Sequence, residues 1–370
     1  MIEPIWKPYS IRSENRLHTL CSYMAMFPPS IPRYFIEKYS KKGDLVLDPF
    51  SGRGTTALEA CLLGRIGIGN DKNPLAFVLT SAKTNVPTKS SIVERLQSLE
   101  KEFKKERISI ANEEKNIKMI FSAHTLRQLI FLKRSLKWGC DPIDTFITAM
   151  VLGIIHGGSK GYLSLQMPNT FSMSPSYVRR YIKEHALKKP KRDVFKVLED
   201  KLKRTYEEQK VRGLALCNDA RSLESIPDDS IDLILTSPPY TRTISYGKYN
   251  WIRLWFLAKD YREIDKSLFS SQSLEKYTLF MKEFLTECKR LLNSAGHIVI
   301  IIGDVKHREK GIVNLAEIIL KDCAEPLGFK KVEEIYEDTL FSDKKVSRIW
   351  GNKRNNVFVK SDRFLVIQRS

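Results

Sequence analysis

The stretch "DLVLDPFSGRGTTALEACLLGRIGIGND", residues 44–71, indicates how this chain begins its fold. The apolar segment 44–47, bounded by glycine and proline, is typical of a short buried strand. Residues 57–64 have a helix-forming composition and end in glycine, and residues 66–71 form a second apolar run that ends on Asp71. Strand, glycine turn, helix and strand in this order predict one βαβ unit.

The turn between this first strand and its helix resembles a nucleotide-binding loop. Gly52 and Gly54 permit positive φ and a close approach of a ligand to the backbone, and the following helix directs its N-terminal N–H groups to the same place. Asp71 ends the second strand, where a carboxylate can accept both ribose hydroxyls of an adenosine. Taken alone, the loop also fits an ordinary connection, and Asp71 also fits a helix N-cap. The third glycine of the dinucleotide fingerprint is missing, so we expect a ligand that contains adenosine but is not a dinucleotide.

The alternation of strands and helices returns after residue 210. Short apolar runs predict further strands, and longer amphipathic stretches predict helices. The strands are expected at 213–219, 231–236, 297–304 and 363–369, and the helices at 274–296 and 314–328. We therefore predict an α/β fold, with a Rossmann-like sheet that carries helices on both faces and is interrupted by a mainly helical insertion.

A second motif, "SPPY" at residues 237–240, follows directly after the predicted strand 231–236. Ligands of open α/β sheets bind beyond the carboxyl ends of the strands. The two prolines fix φ and remove N–H donors, so the neighbouring carbonyl groups are held rigidly. A rigid carbonyl and the Ser237 hydroxyl can accept hydrogens from an exocyclic amine, and Tyr240 offers a flat face for a base. This arrangement suits a flipped-out nucleobase, although alone it also fits a rigid turn that closes a strand.

The two motifs together resemble those of the amino-methylating DNA methyltransferases, which make N4-methylcytosine or N6-methyladenine. "VLDPFSGRGTT" is similar to the cofactor motif of that family, "TSPPY" to its catalytic motif, and "MFPPSIPRYFIEKYSKKGD" to the segment before the cofactor motif. The strong resemblance covers about residues 15–80 and 213–305. It implies a class I methyltransferase fold and S-adenosyl-L-methionine as the cofactor.

The resemblance also implies a role for individual residues. The cofactor is expected to be cradled by Asp48, Phe50, Gly52, Gly54 and Thr55. Further cofactor contacts are implied for the ribose at Asp71, for the adenine at Asp219, and for the methionine side at Phe27 and Pro28. The target base is expected to be held by Ser237, Pro238, Pro239 and Tyr240.

The expected reaction is the transfer of a methyl group to an exocyclic amino group. If Ser237 and the Pro238 carbonyl accept its two hydrogens, the nitrogen becomes pyramidal and its lone pair becomes available, and alignment supplies much of the rate. Serine at the first motif position favours N4 of cytosine, because family members that act on adenine more often have Asp or Asn there. N6 of adenine is the alternative. An RNA base methyltransferase and a non-catalytic nucleic-acid-binding module are further alternatives, whereas nothing in "TSPPY" serves the hydride chemistry of a dehydrogenase.

The charge of the chain predicts a polyanionic partner. The 370 residues contain 62 Lys and Arg against 43 Asp and Glu, a formal net charge of +19. Double-stranded DNA is the expected partner, and a cognate restriction endonuclease is a candidate second partner. Residues expected to contact nucleic acid are Arg179, Arg180, Lys183, Lys188, Lys189, Lys191, Arg192, Arg242 and Lys248. For any one of them, a solvated helix face is the competing interpretation.

Two domains are expected from these patterns. Residues 1–84 and 211–370 would form the catalytic domain, and residues 85–210 would form a basic, helical insertion that is a candidate for target recognition. The insertion precedes "CNDA" rather than following it, which differs from the commonest layouts of the family. Within it, the stretch 157–177 fits either a segment that contacts DNA through Asn169, Thr170 or Ser172, or a loop that closes over the cofactor.

Other classes of protein are disfavoured by composition. The six cysteines are widely spaced and form no CxxC pair, and the six histidines show no metal-ligand spacing, so no metal site is expected. No apolar run approaches the length of a membrane span. The N-terminal "MIEPIWKPYS" lacks the apolar core of a signal peptide, which favours a cytoplasmic location.

Overall fold

The fold is built on one mixed β-sheet. The computed structural model describes residues 15–24, 27–158, 161–167, 169, 171–240, 245–307, 311–334, 336–338 and 358–370. In this part of the chain the strands are β1 (Leu45–Asp48), β2 (Ile66–Asn70), β3 (Leu214–Leu216), β4 (Ile231–Thr236), β5 (Leu292–His307), β6 (Gly311–Val313), β7 (Phe329–Lys331), β8 (Tyr336–Asp338) and β9 (Phe358–Arg369).

The helices flank the sheet and fill the insertion. They are α1 (Ser30–Tyr39), α2 (Thr55–Leu62), α3 (Pro74–Thr84), α4 (Lys89–Lys105), α5 (Lys115–Ile120), α6 (Ala123–Ser135), α7 (Pro142–Ile154), α8 (Pro175–Glu184), α9 (Val194–Thr205), α10 (Trp251–Phe256), α11 (Tyr261–Ser267), α12 (Leu274–Leu291) and α13 (Leu315–Ile318). None of the helices in the described part of the chain is long and apolar enough to cross a bilayer.

The strand order is β3-β2-β1-β4-β5-β9-β7. The strands β1 to β5 all run parallel to one another, whereas β9 is antiparallel to both β5 and β7. The chain order reverses between β1 and β4, and such a switch point is where open α/β sheets bind ligands. The expected Rossmann-like, class I methyltransferase fold is confirmed.

Successive side chains of a strand point to opposite faces of the sheet. Because the buried strands are apolar at consecutive positions, both faces are hydrophobic and are covered by helices. Val46, Leu233 and Leu235 pack on the face that carries α1 and α2. Leu47 and Ile234 point to the opposite face and pack against α12 and α13. Because β1 and β4 pair in parallel, their carboxyl ends lie side by side between the two helical layers.

The helices between β2 and β3 share their hydrophobic core with neighbouring elements. Met150 of α7 and Leu198 of α9 belong to the same buried cluster as Leu79 of α3 and Ile252 of α10. The α3 helix lies within the expected catalytic domain, and α10 follows the "SPPY" motif. The insertion is therefore packed onto the catalytic domain, and the expected boundaries at 84/85 and 210/211 stay a prediction.

One strand begins earlier than the sequence pattern indicates. The helix expected at 274–296 ends at Leu291, and β5 starts at Leu292 instead of at residue 297. The pairing of β5 with β4 shifts its register between Leu292 and His297, so the intervening residues form a bulge. Asn293 stabilises this bulge because its Nδ2 donates a 2.6 Å hydrogen bond to Oδ1 of Asp232.

Candidate cofactor and target-base site

The glycine loop between β1 and α2 needs glycine at two positions. Gly52 and Gly54 have φ of +51° and +74°, in the left-handed region that other residues rarely adopt. A Cβ on Gly54 would lie 2.8 Å from the Cα of Thr80, so the loop also lacks room for a side chain. Gly54 is the N-cap of α2 and has no capping side chain, so the first N–H groups of the helix, beginning at Thr55, are directed towards the loop.

Asp48 joins this loop to the "SPPY" motif. Its carboxylate is buried at the end of β1 and accepts a 2.6 Å hydrogen bond from the Oγ1 of Thr236, the last residue of β4. It also accepts a hydrogen bond from the backbone N–H of Phe50, at 3.2 Å. Burial raises the pKa of Asp48 to about 6, although the Thr236 hydrogen bond opposes that shift.

Asp71 lies directly beside the glycine loop. One carboxylate oxygen accepts the N–H of Gly52 at 3.0 Å, and the other accepts the N–H of Asn73 at 2.9 Å. The N-cap of α3 is Asn73, whose side chain accepts from Leu75, so the N-cap interpretation of Asp71 is not needed. Burial raises the pKa of Asp71 to about 6. A carboxylate has about four lone-pair positions, so acceptor capacity is left for ligand hydroxyls.

The ends of β2 and β3 are tied together by Asn70. Its Nδ2 donates to the carbonyl oxygens of Pro49 and Asn218, at 3.1 and 3.0 Å. The adjacent Asp219 is half-buried, and Lys72 and Arg221 both bond to its carboxylate at 2.9 Å. The Arg221 hydrogen bonds, followed by that from Lys72, lower the pKa of Asp219 below its ordinary value. Asp219 is thus an ionised acceptor at the rim of the cleft.

The remaining expected cofactor residues are divided between the two faces of the sheet. The ring of Phe50 packs against Phe284 of α12, with centroids 5.0 Å apart. Phe27 and Pro28 are half-buried just before α1. Phe27 packs against the cluster on the face of the sheet that carries α1 and α2. Thr55 is buried, and its Oγ1 accepts a hydrogen bond from Arg53.

The four residues of the catalytic motif follow β4 as expected. Pro238 is buried, whereas Ser237, Pro239 and Tyr240 are half-buried. Burial, followed by the nearby Asp362 carboxylate, raises the pKa of Tyr240 above its ordinary value, and the neighbouring Ser237 side chain and Gly303 backbone oppose that shift. The phenol is therefore neutral, and its ring packs against the hydrophobic cluster that contains α12 and α13.

Two further tyrosines lie at this site, and the sequence interpretation missed one of them, Tyr23. Tyr23 and Tyr246 stack with ring centroids 6.0 Å apart. A Cβ on Gly52 would lie 3.3 Å from the Tyr23 ring, so this ring covers the glycine loop. Burial and, next, the Asp71 carboxylate raise the pKa of both phenols above the ordinary value. The sequence places Tyr246 close enough to "SPPY" to touch the flipped base or its phosphate, although the aromatics of that run were interpreted mainly as core.

A buried ion pair was also missed. Arg363 of β9 donates to both carboxylate oxygens of Asp304 in β5, at 2.7 and 2.9 Å. Asp304 is the last residue of the expected strand 297–304, and Arg363 opens the expected strand 363–369. The pair joins β5 and β9 inside the ladder, next to Gly303 and Asp362, two of the residues that affect the Tyr240 pKa.

The expected nucleic-acid contacts lie mainly on α8 and the segment after it. Arg179, Arg180 and Lys183 are exposed on α8, and α8 buries only Val178. The rest of this set in the described residues comprises the exposed Lys188, Lys189, Lys191 and Lys248 and the half-buried Arg192. Arg242 lies outside the described residues.

The segment before α8 is attached to the chain that follows the catalytic motif. The N–H of Ser172 donates to the carbonyl of Tyr249 at 2.7 Å, and Nε1 of Trp251 donates to the carbonyl of Met173 at 2.8 Å. Ser172 is 2% exposed, so its side chain is not available to DNA in this arrangement. Asn169 is half-buried, and Thr170 lies outside the described residues.

The strand order, the glycine loop with Asp71 and the proline-tyrosine turn define a Rossmann-like domain whose two motifs lie at neighbouring strand ends. No group of three or more metal-ligating side chains occurs among the residues described. The model of the DNA methylase family (N6_N4_Mtase) matches residues 1–81 and 231–365, which is more than half of the chain. The protein belongs to this family, and the resemblance inferred from the motifs is confirmed.

Curated relatives match over limited segments. Type II methyltransferase M.HpaI of Haemophilus parainfluenzae is 35% identical over 89 residues, which are 24% of this chain and 22% of the relative. Type II methyltransferase M.MjaVI of Methanocaldococcus jannaschii is 30% identical over 146 residues, which are 39% of this chain and 62% of the relative. The chain spans less than two thirds of either relative.

Solved structures show more distant likeness. TrmN from Thermus thermophilus is 12% identical, with a TM-score of 0.38, and the match covers 96% of this chain and 52% of that protein. A second protein of Thermus thermophilus, described as a DNA modification methylase and solved with S-adenosyl-L-methionine, is 21% identical with a TM-score of 0.24. That match covers 40% of this chain and 50% of the other. Since these TM-scores are low, the fold assignment rests on the strand order.

Proposed function

We propose that this protein methylates the exocyclic amino group of a base in double-stranded DNA, with S-adenosyl-L-methionine as the methyl donor and N4 of cytosine as the favoured position. The observation that carries the proposal is the hydrogen bond from Thr236 to Asp48. It fixes the start of the glycine loop to the residue just before Ser237, so that a nucleotide cleft and a base cleft open side by side.

The residues present fit the cofactor. Gly52 and Gly54 leave the loop open to a close ligand, and the ionised Asp71 has acceptor capacity for ribose hydroxyls. Asp219 already accepts four hydrogen bonds from Arg221 and Lys72, so it would exchange the exposed Lys72 bond for one from the adenine amino group. Phe27 and Pro28 would line the methionine side. When bound, S-adenosyl-L-methionine supplies a methyl group activated by its sulfonium.

The base cleft would be formed by residues 237–240. The Ser237 hydroxyl and the Pro238 carbonyl would accept the two hydrogens of the amino group and so release its lone pair. The Tyr240 ring packs against the hydrophobic cluster that contains α12 and α13, which supports a role as a stacking face for the base. A fixed face lowers the entropic cost of aligning the nitrogen with the methyl group.

We further propose that the insertion 85–210 contributes target recognition, with α8 as its main DNA-binding element. Three exposed cationic side chains, Arg179, Arg180 and Lys183, lie on a helix that begins beside the chain following the catalytic motif. Only Arg180 has a carboxylate within reach, at 3.6 Å from Glu184, among the ion pairs described for this helix. Exposed pairs of this kind are weak, so these cations stay available to phosphates.

The choice of cytosine N4 over adenine N6 rests on Ser237 at the first motif position. A serine hydroxyl is a neutral acceptor that can also rotate to donate, and it serves either amino group, so the preference comes from the family pattern. A cytoplasmic location and an accompanying restriction endonuclease stay predictions.

Mass spectrometry of nucleosides tests the proposed function. The protein is incubated with unmethylated duplex DNA prepared by PCR and with isotopically labelled S-adenosyl-L-methionine, and the DNA is then digested. We expect labelled N4-methyldeoxycytidine. Labelled N6-methyldeoxyadenosine would overturn the base assignment alone, whereas no labelled deoxynucleoside from a preparation that binds S-adenosylhomocysteine would overturn DNA methylation. A parallel incubation with tRNA tests the RNA alternative.

A further inference from the structure

The segment that precedes the first helix, residues 15–24, lies against the glycine loop. A Cβ on Gly52 would lie 3.3 Å from the ring of Tyr23, and the hydroxyl of Tyr23 accepts a 3.3 Å hydrogen bond from Nδ2 of Asn73. Gly52 and Asn73 are the two residues whose backbone N–H groups bond to the Asp71 carboxylate. Tyr23 therefore borders both donors of the carboxylate that is expected to bind the ribose.

Two cations hold the earlier part of this segment through its carbonyl groups. Nη1 of Arg53, in the glycine loop, donates to the carbonyl of His18 at 3.1 Å. Nζ of Lys201, in α9 of the insertion, donates to the carbonyl of Thr19 at 2.9 Å. The segment is thus attached both to the glycine loop and to the insertion.

The end of the segment next to Tyr23 is held by Arg253 of α10. This arginine is only 2% exposed, and its Nη2 donates to Oγ of Ser22 at 2.9 Å. Its Nε donates to the carbonyl of Leu152 in α7 at 3.1 Å, and its Nη1 donates to Oδ1 of Asn250 at 2.9 Å. One buried guanidinium therefore joins the residue before Tyr23 to the insertion and to the chain that follows the catalytic motif.

We propose that Arg253 is a positioning residue for the cofactor cleft: through Ser22 it fixes the Tyr23 ring beside the glycine loop and so sets how closely a cofactor can approach that loop. The inference rests on the proposed function, because it takes this cleft to hold S-adenosyl-L-methionine. A guanidinium suits the task, since its N–H groups leave a rigid plane in fixed directions. Because the same side chain bonds to α7, the insertion helps to shape the cofactor cleft as well as making the proposed DNA contacts.

Ser22→Ala tests the proposal because it removes the acceptor and leaves Arg253 in place. Calorimetry measures the Kd of S-adenosylhomocysteine, and labelled methyl incorporation into PCR-made duplex DNA gives kcat at saturating cofactor. We expect the Kd to rise by about tenfold, the size of one hydrogen bond to a charged donor. The kcat should stay within about twofold of the original value, because the bond from Arg253 to Asn250 is kept. Ser22→Thr keeps the hydroxyl and should return the Kd to within about twofold of the original.

A matched control is Ser40→Ala. Ser40 is also half-buried, and its Oγ accepts a 3.1 Å hydrogen bond from Nε of another buried arginine, Arg65. Arg65 directly precedes β2, so this pair lies at the end of the strand away from the glycine loop. Thermal unfolding should show a similar loss of stability in both alanine variants, since each leaves an arginine N–H without its acceptor. We expect Ser40→Ala to leave the Kd of S-adenosylhomocysteine unchanged.

The outcomes separate this inference from the proposed function. An unchanged Kd in Ser22→Ala, or an equal rise in Ser40→Ala, would overturn the positioning role of Arg253 and leave the proposed function intact. Arg253→Met removes all three bonds and should raise the Kd at least as much as Ser22→Ala, so a smaller rise would also contradict the inference. An original protein that binds S-adenosylhomocysteine but methylates no DNA would overturn the proposed function alone, because the comparison of Kd values needs no transfer. An original protein without affinity for S-adenosylhomocysteine would overturn both.

Discussion

Thr236 and Asp48 end two neighbouring parallel strands and are joined by a 2.6 Å hydrogen bond that is buried on both sides. Asp48 opens the glycine loop, and Thr236 precedes the catalytic motif, so one side-chain contact sets the distance between two clefts that are far apart in the sequence. Because the acceptor is a carboxylate that is 1% exposed, this contact is expected to matter for stability and for activity.

Replacing Thr236 by valine keeps the shape of the side chain and removes the donor. A buried carboxylate that loses a donor destabilises a protein by about 2 kcal/mol, and we expect the free energy of unfolding to fall by that amount. Methyl transfer should fall as well, because the start of the glycine loop loses its support. Urea unfolding checks the first effect, with Thr286→Val as the control, since Thr286 is exposed and bonds only within α12. Equal destabilisation of both variants would contradict the role of the Asp48 contact.

Tyr240→Ala should separate catalysis from cofactor binding. The ring supplies the proposed stacking face, and a stacked base is worth about 1–3 kcal/mol, so we expect transfer to fall by up to about a hundredfold. The affinity for S-adenosylhomocysteine should stay largely intact, because the glycine loop and Asp71 are unchanged. Calorimetry and labelled methyl incorporation measure the two quantities. Loss of S-adenosylhomocysteine binding would show that Tyr240 belongs to the cofactor cleft instead.

Cofactor binding should weaken in acid through Asp71. Burial raises its pKa from 3.8 to about 6, so the carboxyl takes up a proton as the pH falls through about 6 and then accepts hydroxyl hydrogens poorly. The favourable form is thus fully present above that pH, and the affinity for S-adenosylhomocysteine should drop by about tenfold per unit below it. Calorimetry between about pH 5 and pH 8 checks this direction.

Asp71→Asn is the matched variant for that measurement. We expect weaker binding at neutral pH and a much flatter dependence on pH, and any slope that is left reports Asp48, whose pKa is also raised to about 6. An undiminished slope in Asp71→Asn would mean that Asp71 is not the titrating group.

The DNA-binding role of α8 is tested by the salt dependence of binding. Each phosphate contact contributes about 0.9 to the slope of log K against log salt, so Arg180→Ala combined with Lys183→Ala should reduce the slope by nearly two. Fluorescence anisotropy with a labelled duplex measures it. Lys321→Ala is the control, because Lys321 is exposed on the face of the sheet covered by α12 and α13. A slope that falls equally in the control would favour a diffuse charge effect over a defined surface.

The parts of this site that could be predicted from the sequence are local in the chain. The glycine loop, Asp71 and residues 237–240 each follow directly after an apolar run. The run predicts a strand, and the residues after it are therefore predicted to lie at a strand end. Asn70 was not singled out, because its bonds to Pro49 and Asn218 depend on three strands meeting at one edge.

The stack of Tyr23 on Tyr246 was missed for a similar reason. Tyr23 comes from a segment before α1, Tyr246 from the chain after the catalytic motif, and no periodicity relates them. The early start of β5 was missed because the helix-like composition continues past Leu291. Pairing with β4 nevertheless makes residues 292–297 part of the strand, with a bulge between Leu292 and His297. In both cases tertiary contacts, and not local preference, decide the structure.

The two hydrogen bonds that attach the insertion to the chain after "SPPY" have a consequence for how such proteins diversify. In both bonds the insertion contributes a main-chain atom, the N–H of Ser172 in one and the carbonyl of Met173 in the other. Main-chain atoms are supplied by almost any residue, so side chains in and beyond this loop can change while α8 keeps its place. If α8 contacts DNA as proposed, new sequence preferences can then evolve by substitution on a helix whose position beside "SPPY" is already fixed.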